Sequence, residues 1–249
     1  MAYSQNSVLD TISRLDRRVQ SRLRPFTFKR GDLLAEIGQS IDEVFFPESG
    51  LISVVVPLNS GDVVETAIIG HRGLLGGGAA FGEPSFVHTG VGQLPGSGQA
   101  MRAEHLREIT DAHASVRALI FAHQQFLLAQ AQQSAACNAK HHIPGRLATW
   151  LLRARDAIGK DEVDLTQEFV AEMLGVQRPS VSIVAAQLQD AGLISYSRGR
   201  VKIIDEQGLA DAACECHVTL RRHYQRLFAR QNGPVPAPEA LSRSSSQQL

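Results

Sequence analysis

Two short helices joined at a glycine constrain this chain more than any other feature. The first helix runs from Thr166, a residue type that caps helix N-termini, to Leu174, and Gly175 then turns the chain. The second has Pro179 in its first turn and Gly192 just past its end, where a left-handed backbone is easy for glycine. In this second helix, apolar residues recur at i, i+3, i+4 and i+7, a spacing that predicts one buried face. These residues are Val181, Val184, Ala185 and Leu188.

The opposite face of the second helix is short-chained and rich in hydrogen-bonding groups, whereas a face turned only to water would favour Lys and Glu. Two helices around a glycine-containing turn form a helix-turn-helix, whose second helix enters the DNA major groove. Two short strands around Arg198-Gly199 follow, and this pattern is typical of a wing. The alternative is an ordinary pair of packed helices beside a hairpin. The residues predicted to meet DNA are Thr166, Gln177, Arg178, Ser180, Ser182, Ile183, Gln187, Arg198 and Arg200.

Local charge, rather than net charge, supports this interpretation. The chain carries 25 basic and 25 acidic residues, so its formal net charge is zero. Between positions 176 and 204, however, Asp190 is the one acidic residue among several basic ones. We expect Arg178, at the helix entrance, to make a bidentate pair with guanine. Arg198 and Arg200 in the wing are expected to meet phosphates.

From Asp164 to Asp205, the sequence resembles the C-terminal winged helix-turn-helix of the Crp/Fnr family of bacterial transcription regulators. The stretch from Gly31 to Val56 resembles the opening strands of that family's effector domain, a jelly roll related to the cyclic-nucleotide-binding fold. The resemblance implies an α+β chain with an N-terminal β jelly roll, a long dimerisation helix and a C-terminal winged helix-turn-helix. The expected boundaries are an N-terminal helix at 1–24, the β roll at 25–104, the dimerisation helix at 105–136, the DNA-binding domain at 137–232 and a disordered tail at 233–249.

The segment 105–136 contains neither glycine nor proline, and its apolar residues recur with helical spacing. This pattern predicts one long helix. The resemblance implies that it pairs with its twin in a second subunit, while the alternative is a helix buried between the two domains. The residues predicted at the dimer interface are Val116, Leu119, Ile120, Phe126 and Leu127.

In cyclic-nucleotide binders of this family, a glycine-led loop, a glutamate and an arginine followed by a small hydroxyl residue hold the ligand. Here Gly76 keeps its place, but Gly77 stands at the glutamate position and His88, followed by Thr89, stands at the arginine position. A neutral imidazole cannot replace a bidentate guanidinium. We therefore expect these four residues to mark the candidate effector pocket, and we do not expect cyclic AMP to bind there in the usual way. The effector stays unidentified.

The sequence predicts no cofactor and no enzymatic activity. A cysteine-held iron-sulfur cluster near the N-terminus is excluded because no cysteine precedes Cys137, and the histidine pair of a cupin-type metalloenzyme is missing. Haem bound through His71 or His88 is a remaining alternative.

The run CECH contains Cys214, Cys216 and His217. As one continuous helix, this segment would point its two cysteines in different directions, and a tetrahedral metal site would lack a fourth ligand. No metal site is therefore predicted, and a redox or metal role for these residues is left open.

A length of 249 residues with 43% hydrophobic content allows two ordinary domains. Three cysteines agree with a reducing compartment, and the longest apolar run, LISVVVPL, is too short to span a membrane. With no signal-peptide pattern at the N-terminus, the sequence predicts a cytoplasmic protein without membrane contact.

The winged helix-turn-helix pattern predicts DNA binding, and the family resemblance implies a transcription regulator that binds an inverted-repeat operator as a homodimer, under a signal sensed by the β roll. Its expected partners are double-stranded DNA, a second copy of itself and a small-molecule effector, and the resemblance also allows RNA polymerase. The alternative is a cyclic-nucleotide-type sensor that acts through protein contacts rather than DNA.

Overall fold

The N-terminal segment is a helix that is anchored to the following domain. The computed structural model describes residues 4–229, and within it α1 spans Ser7–Leu15 and a 3-10 helix spans Arg17–Arg22. The side chain of Asn6 caps α1 and donates hydrogen bonds to Pro47 O at 2.7 Å and Gly73 O at 2.8 Å. Because Asn6 is fully buried, these bonds fix the direction in which α1 lies across the roll.

Seven strands form the roll: β1 Leu23–Phe28, β2 Leu33–Ala35, β3 Glu43–Pro47, β4 Leu51–Pro57, β5 Val63–Ile69, β6 Thr89–Leu94 and β7 Gly96–Arg102. They make two antiparallel sheets, ordered β1-β7-β3 and β2-β6-β4-β5. Side chains alternate between faces, so Phe46, Ile52 and Ile69 enter the core between the sheets. The predicted α+β fold with an N-terminal jelly-roll region is confirmed.

Strand β4 is buried on both faces, which explains why LISVV is apolar without alternation. Ile52 and Val54 belong to the core of the roll. Leu51 belongs instead to a second apolar cluster that contains the residues of the C-terminal domain, together with Ile68 and Leu94. The roll and the C-terminal domain therefore share a packed apolar boundary.

The segment predicted as one long helix is two helices, α2 Ala103–Ala112 and α3 Ala114–Lys140. The chain turns at His113, where φ is −129° and ψ is 101°. Leu106 and Ile109 of α2 are buried in the core of the roll, as is Val116 of α3. Neither glycine nor proline stands near His113, so the sequence pattern did not mark this break.

The C-terminal domain begins with α4, Ile143–Ile158, and continues with β8 Glu162–Asp164, α5 Gln167–Leu174, α6 Arg178–Asp190, β9 Ile194–Ser197, β10 Arg200–Ile203, α7 Glu206–Ala212 and α8 Cys216–Ala229. Its antiparallel sheet has the order β8-β10-β9. Helices α4, α5 and α6 pack through the second apolar cluster. The predicted winged helix-turn-helix is confirmed.

The end of the chain differs from the sequence prediction in one respect. The segment that was expected to be one helix through Cys214 and Cys216 is α7 and α8, with Ala213–Glu215 between them, and α8 packs along α3 as well as α4. The predicted tail at 233–249 lies outside the described residues. Among the described residues, every helix is too short or too polar to cross a bilayer.

Candidate nucleic-acid interface

A side-chain cap, a glycine turn and a proline set the ends of the two helices of the helix-turn-helix. The hydroxyl of Thr166 accepts a hydrogen bond from Phe169 N at 3.3 Å and caps α5. Gly175, with φ of +61°, ends α5 in the left-handed conformation that the turn requires. Helix α6 starts at Arg178, one residue before Pro179. Its predicted inner residues are all buried, and its outer residue Ile183 is 61% exposed.

A concave surface of about 370 Å³ lies where α5, α6 and the wing meet. It brings together four of the predicted DNA-binding residues, Thr166, Arg178, Ser182 and Arg198. The sequence prediction missed Gln167, Gln189 and Tyr196, which also line this surface. Nothing in the spacing of these three residues marks them, because it is the packing of the wing against α5 and α6 that brings them to the surface.

Hydrogen bonds hold the polar side chains of this surface in place. Ser182 Oγ donates to Gln167 Oε1 at 2.5 Å, and Gln189 Oε1 accepts from Tyr196 N at 2.7 Å. Arg178 is 64% exposed, and its Nη1 lies 3.5 Å from Glu168 Oε2. An exposed pair of this length is weak, so Arg178 can exchange Glu168 for another acceptor at little cost.

The remaining predicted residues of α6 lie outside the concave surface. Gln177, Ile183 and Gln187 are exposed, and Ser180 is half-buried. They extend the polar and weakly charged face of α6 along the helix.

The two wing arginines have different surroundings. Arg198 and Gly199 have φ of 51° and 76°, as in a two-residue hairpin turn of type I′, and this turn holds Arg198 exposed at the tip. Arg200 Nε lies 3.0 Å from Glu162 Oε1 and 3.0 Å from Asp164 Oδ1 on the neighbouring strand β8. These carboxylates, Asp164 above all, raise the pKa of Arg200 and compensate its charge. In the free protein Arg200 thus joins strands β10 and β8 of the wing, and a phosphate contact for it stays a prediction.

Of the candidate effector residues, Gly76, Gly77 and Thr89 are buried and His88 is half-buried. A Cβ on Gly77 would meet the terminal amide of the Gln124 side chain on α3, so a larger residue at this position requires Gln124 to move. Gly76, with φ of +87°, starts the 3-10 turn Gly77–Phe81. Thr89 is buried, and burial lowers the pKa of His88.

A cavity of about 430 Å³ lies elsewhere, between the roll, α3, α4 and α8. None of the four predicted effector residues lines it. Its walls carry four arginines, Arg72, Arg153, Arg155 and Arg221, and one carboxylate, Asp156, together with the buried His123 and His217. Burial lowers the pKa of Arg153, whose Nη2 donates to Gln130 Oε1 at 2.7 Å. The cavity is cationic and has walls from both domains.

All five predicted dimer-interface residues make contacts within the chain itself, and Phe126 and Leu127 remain half-buried. Val116, Leu119 and Ile120 are buried in the core of the roll, and Leu127 packs against it. The ring of Phe126 lies 5.3 Å from that of Tyr224 on α8. A different face of α3 is exposed or half-exposed, and its residues alternate at spacings of four and three, as in a heptad seam. This exposed seam comprises Ala114, Ala118, Phe121, Gln125, Leu128, Gln132 and Ala135.

The structure brings all three cysteines together at the junction of α3 and α8. Cys214 lies before the first turn of α8 and Cys216 within it, so the two side chains converge rather than diverge. Cys137 and His141, from the end of α3, lie beside them, and one ligand atom from each of the four residues falls within 4.8 Å of the others. The objections that the cysteines diverge and that further ligands are missing are therefore wrong, and His217 is not part of this cluster.

Together, the fold and this interface define a winged helix-turn-helix protein with an N-terminal β roll. Residues 145–212 match the Crp-like helix-turn-helix domain. The chain thus carries a Crp-like DNA-binding domain, as the sequence resemblance predicted.

Solved structures share the wider fold. FixK2 from Bradyrhizobium japonicum is 16% identical with a TM-score of 0.67, over 77% of this chain and 98% of its own. A CRP family transcriptional regulator from Thermus thermophilus is 20% identical with a TM-score of 0.62, over 76% and 96%. The c-di-GMP responsive global regulator CLP of Xanthomonas campestris is 12% identical with a TM-score of 0.60, over 75% and 96%.

No curated protein matches the sequence. At these identities the solved structures establish the fold alone, which this chain shares with transcription regulators of the CRP family.

Proposed function

We propose that this chain is a transcription regulator that binds an inverted-repeat operator as a homodimer, under the control of a small-molecule signal. The observation that carries the proposal is the outer face of α6. It is exposed, weakly charged and bordered by the exposed wing residue Arg198. A helix presented in this way suits the major groove, with the wing against the backbone.

Base reading is assigned to the N-terminal half of α6. Arg178 supplies a fork of donors that matches the two acceptors of guanine in the major groove. Ile183, exposed one and a half turns further on, suits contact with the methyl group of thymine. Arg198 at the wing tip is assigned to a phosphate, and within the part of the chain that the structure describes it has no carboxylate partner.

Assembly is assigned to the exposed seam of α3. Phe121 is 55% exposed and Leu128 is 51% exposed, although both lie on a helix whose other face is buried. Large apolar side chains repeated at heptad spacing on one face favour a second helix of the same kind as their cover. A two-fold dimer would place two copies of α6 about 34 Å apart, one turn of DNA, which suits an inverted repeat.

Signal input is assigned to the cationic cavity, because residues of the roll, of α3 and of α4 all border it. A ligand that touched both domains could change the position of α5 and α6 relative to α3. The arginines in its walls favour an anionic effector.

Nuclease footprinting on fragments of the source genome tests the proposal. We expect protection of a site with two-fold symmetry, and the loss of that protection when Arg178 and Arg198 are both replaced by alanine. Arg17→Ala, an exposed change in the N-terminal segment, serves as the matched control and should leave the footprint intact. Protection of no fragment by the folded wild-type protein would instead favour the sensor that acts through protein contacts.

A further inference from the structure

Four metal-ligating side chains converge where α3 ends and α8 begins. Cys137 lies in the last turn of α3 and His141 directly follows that helix, while Cys214 and Cys216 flank Glu215. The sulfurs of Cys137 and Cys214 are 3.5 Å apart, and Cys216 Sγ lies 3.3 Å from His141 Nδ1. Cys137 and Cys214 are 77 positions apart in the sequence, so the fold brings two distant segments together around one point.

The spacing of these atoms matches the edges of a tetrahedral zinc site. Zinc binds sulfur at about 2.3 Å and imidazole nitrogen at about 2.0 Å. A tetrahedron with these radii has sulfur–sulfur edges of about 3.8 Å and sulfur–nitrogen edges of about 3.5 Å. Since the ligand atoms all lie within 4.8 Å of one another, shifts of about 1 Å or less would close them around an ion.

A second layer of hydrogen bonds orients the four side chains. His141 Nε2 lies 3.0 Å from Glu215 Oε1, which leaves Nδ1 to face the cysteines. Thr149 Oγ1 lies 3.0 Å from Cys214 Sγ, and Gln133 Nε2 donates to Cys216 Sγ at 3.0 Å. A carboxylate on the far nitrogen of a histidine and donors to thiolate sulfurs are the usual outer partners of metal ligands.

We propose that Cys137, His141, Cys214 and Cys216 bind one zinc ion, and that this ion ties α3 to the DNA-binding domain across the junction of α3 and α4. Binding releases three thiol protons, and the neutral His141 supplies its lone pair, so the site carries a net charge of about −1. The junction lies at His142, between α3 and α4. Zinc would therefore set the direction in which α4 and the helix-turn-helix leave the long helix.

Metal analysis of the full-length protein, purified without an added chelator, tests the site directly. We expect about one zinc per chain, and we expect cobalt(II) added to the metal-free protein to give the intense thiolate charge-transfer and tetrahedral d–d absorption bands. Cys137→Ser and Cys216→Ser should lose the metal, whereas His142→Ala, an exposed neighbour outside the cluster, should keep it. Glu215→Gln should weaken zinc affinity about tenfold while leaving the ligands in place.

Other results would overturn the assignment. Iron with labile sulfide would mean a cluster instead of zinc, and a metal-free protein with a Cys137–Cys214 disulfide would mean a redox pair. The wild-type metal content and the cobalt spectrum decide the matter even if the cysteine variants fold poorly.

The consequence for DNA rests on the proposed function and is measured separately. Removing zinc with a chelator should lower affinity for the operator by about tenfold, and adding zinc back should restore it. If the protein binds zinc but removal of zinc leaves a measurable DNA affinity unchanged, the zinc site stands and its proposed coupling to DNA binding is wrong. Bound zinc in a protein that footprints no DNA would count against the proposed function alone.

Discussion

Trp150 on α4 donates its indole N–H to Glu65 Oε1 on β5 at 2.7 Å, and this bond joins the two domains inside the protein. Glu65 is 5% exposed, and the hydroxyl of Ser53 donates to its other oxygen. Burial raises the pKa of Glu65, against the opposing effects of Arg153, Ser53 and Trp150. The boundary between roll and DNA-binding domain thus includes a buried carboxyl group with hydrogen-bond donors from both domains.

Trp150→Phe should destabilise the protein by about 1 to 3 kcal/mol, because it leaves an oxygen of a buried carboxyl group without its donor. Urea unfolding measures this change. In a Glu65→Gln background the same tryptophan change should cost less, since a neutral amide is less costly to leave unpaired. Equal costs in the two backgrounds would mean that lost packing against Phe169, and not the hydrogen bond, accounts for the effect.

Stability should fall on acidification below about pH 6.5, because of His123. This residue is fully enclosed, its Nε2 accepts from Leu74 N at 3.2 Å, and burial lowers its pKa from 6.5 to about 4. A depressed histidine pKa contributes stability that is present above the unfolded value and is lost as the pH falls through the folded value. The full difference between the unfolded and folded pKa values of His123 corresponds to about 3 kcal/mol of unfolding free energy.

Thermal unfolding of wild type and His123→Gln between pH 7 and pH 4 checks this expectation. Glutamine can still accept from Leu74 N but cannot be protonated, so the variant should lose less stability over this range. Glu65 cannot imitate the effect. Its raised pKa contributes stability below its unfolded value that is lost as the pH rises, which is the opposite sign. If the melting temperatures of the two proteins fall in parallel as the pH is lowered, titratable groups other than His123 cause the acid sensitivity.

Phe121→Glu and Leu128→Glu should each convert the proposed dimer into monomers, because they put charge into the exposed seam of α3. Light scattering with size-exclusion chromatography measures the mass. Ser115→Glu, an exposed change off the seam, is the control and should remain dimeric. Phe126→Glu should mainly disturb the aromatic contact with Tyr224. A dimer that survives both seam variants would assign assembly to another surface.

Arg178→Ala should reduce the preference for the operator over random DNA by about 1 to 3 kcal/mol, because it removes a base contact. Binding to specific and random duplexes at several salt concentrations measures it. If the ratio of the two affinities does not change, base reading lies elsewhere on α6.

Arg198→Ala should weaken binding to both duplexes alike and lower the salt slope by about one per subunit. Arg200→Ala is its matched control, since Glu162 and Asp164 already compensate that charge. If Arg200→Ala lowers the salt slope of DNA binding more than Arg198→Ala does, DNA displaces Glu162 and Asp164 from Arg200.

The sequence by itself determined the helix-turn-helix. Thr166, Gly175 and Gly192 act on the backbone within a few residues of themselves, and the apolar period of α6 specifies its buried face. Such signals are local, so they can be read without knowing what packs nearby. The same holds for the wing turn at Arg198-Gly199.

Only the tertiary structure decided which face of α3 is free. Apolar spacing marks Val116, Leu119 and Ile120 as buried, but it cannot tell the core of the same chain from the surface of a partner. The same limit applies to Arg200, whose carboxylate partners lie on a strand more than thirty-five positions earlier. It applies most to the meeting of Cys137 and His141 with Cys214 and Cys216, because contacts between distant segments depend on how helices pack and not on the spacing within either segment.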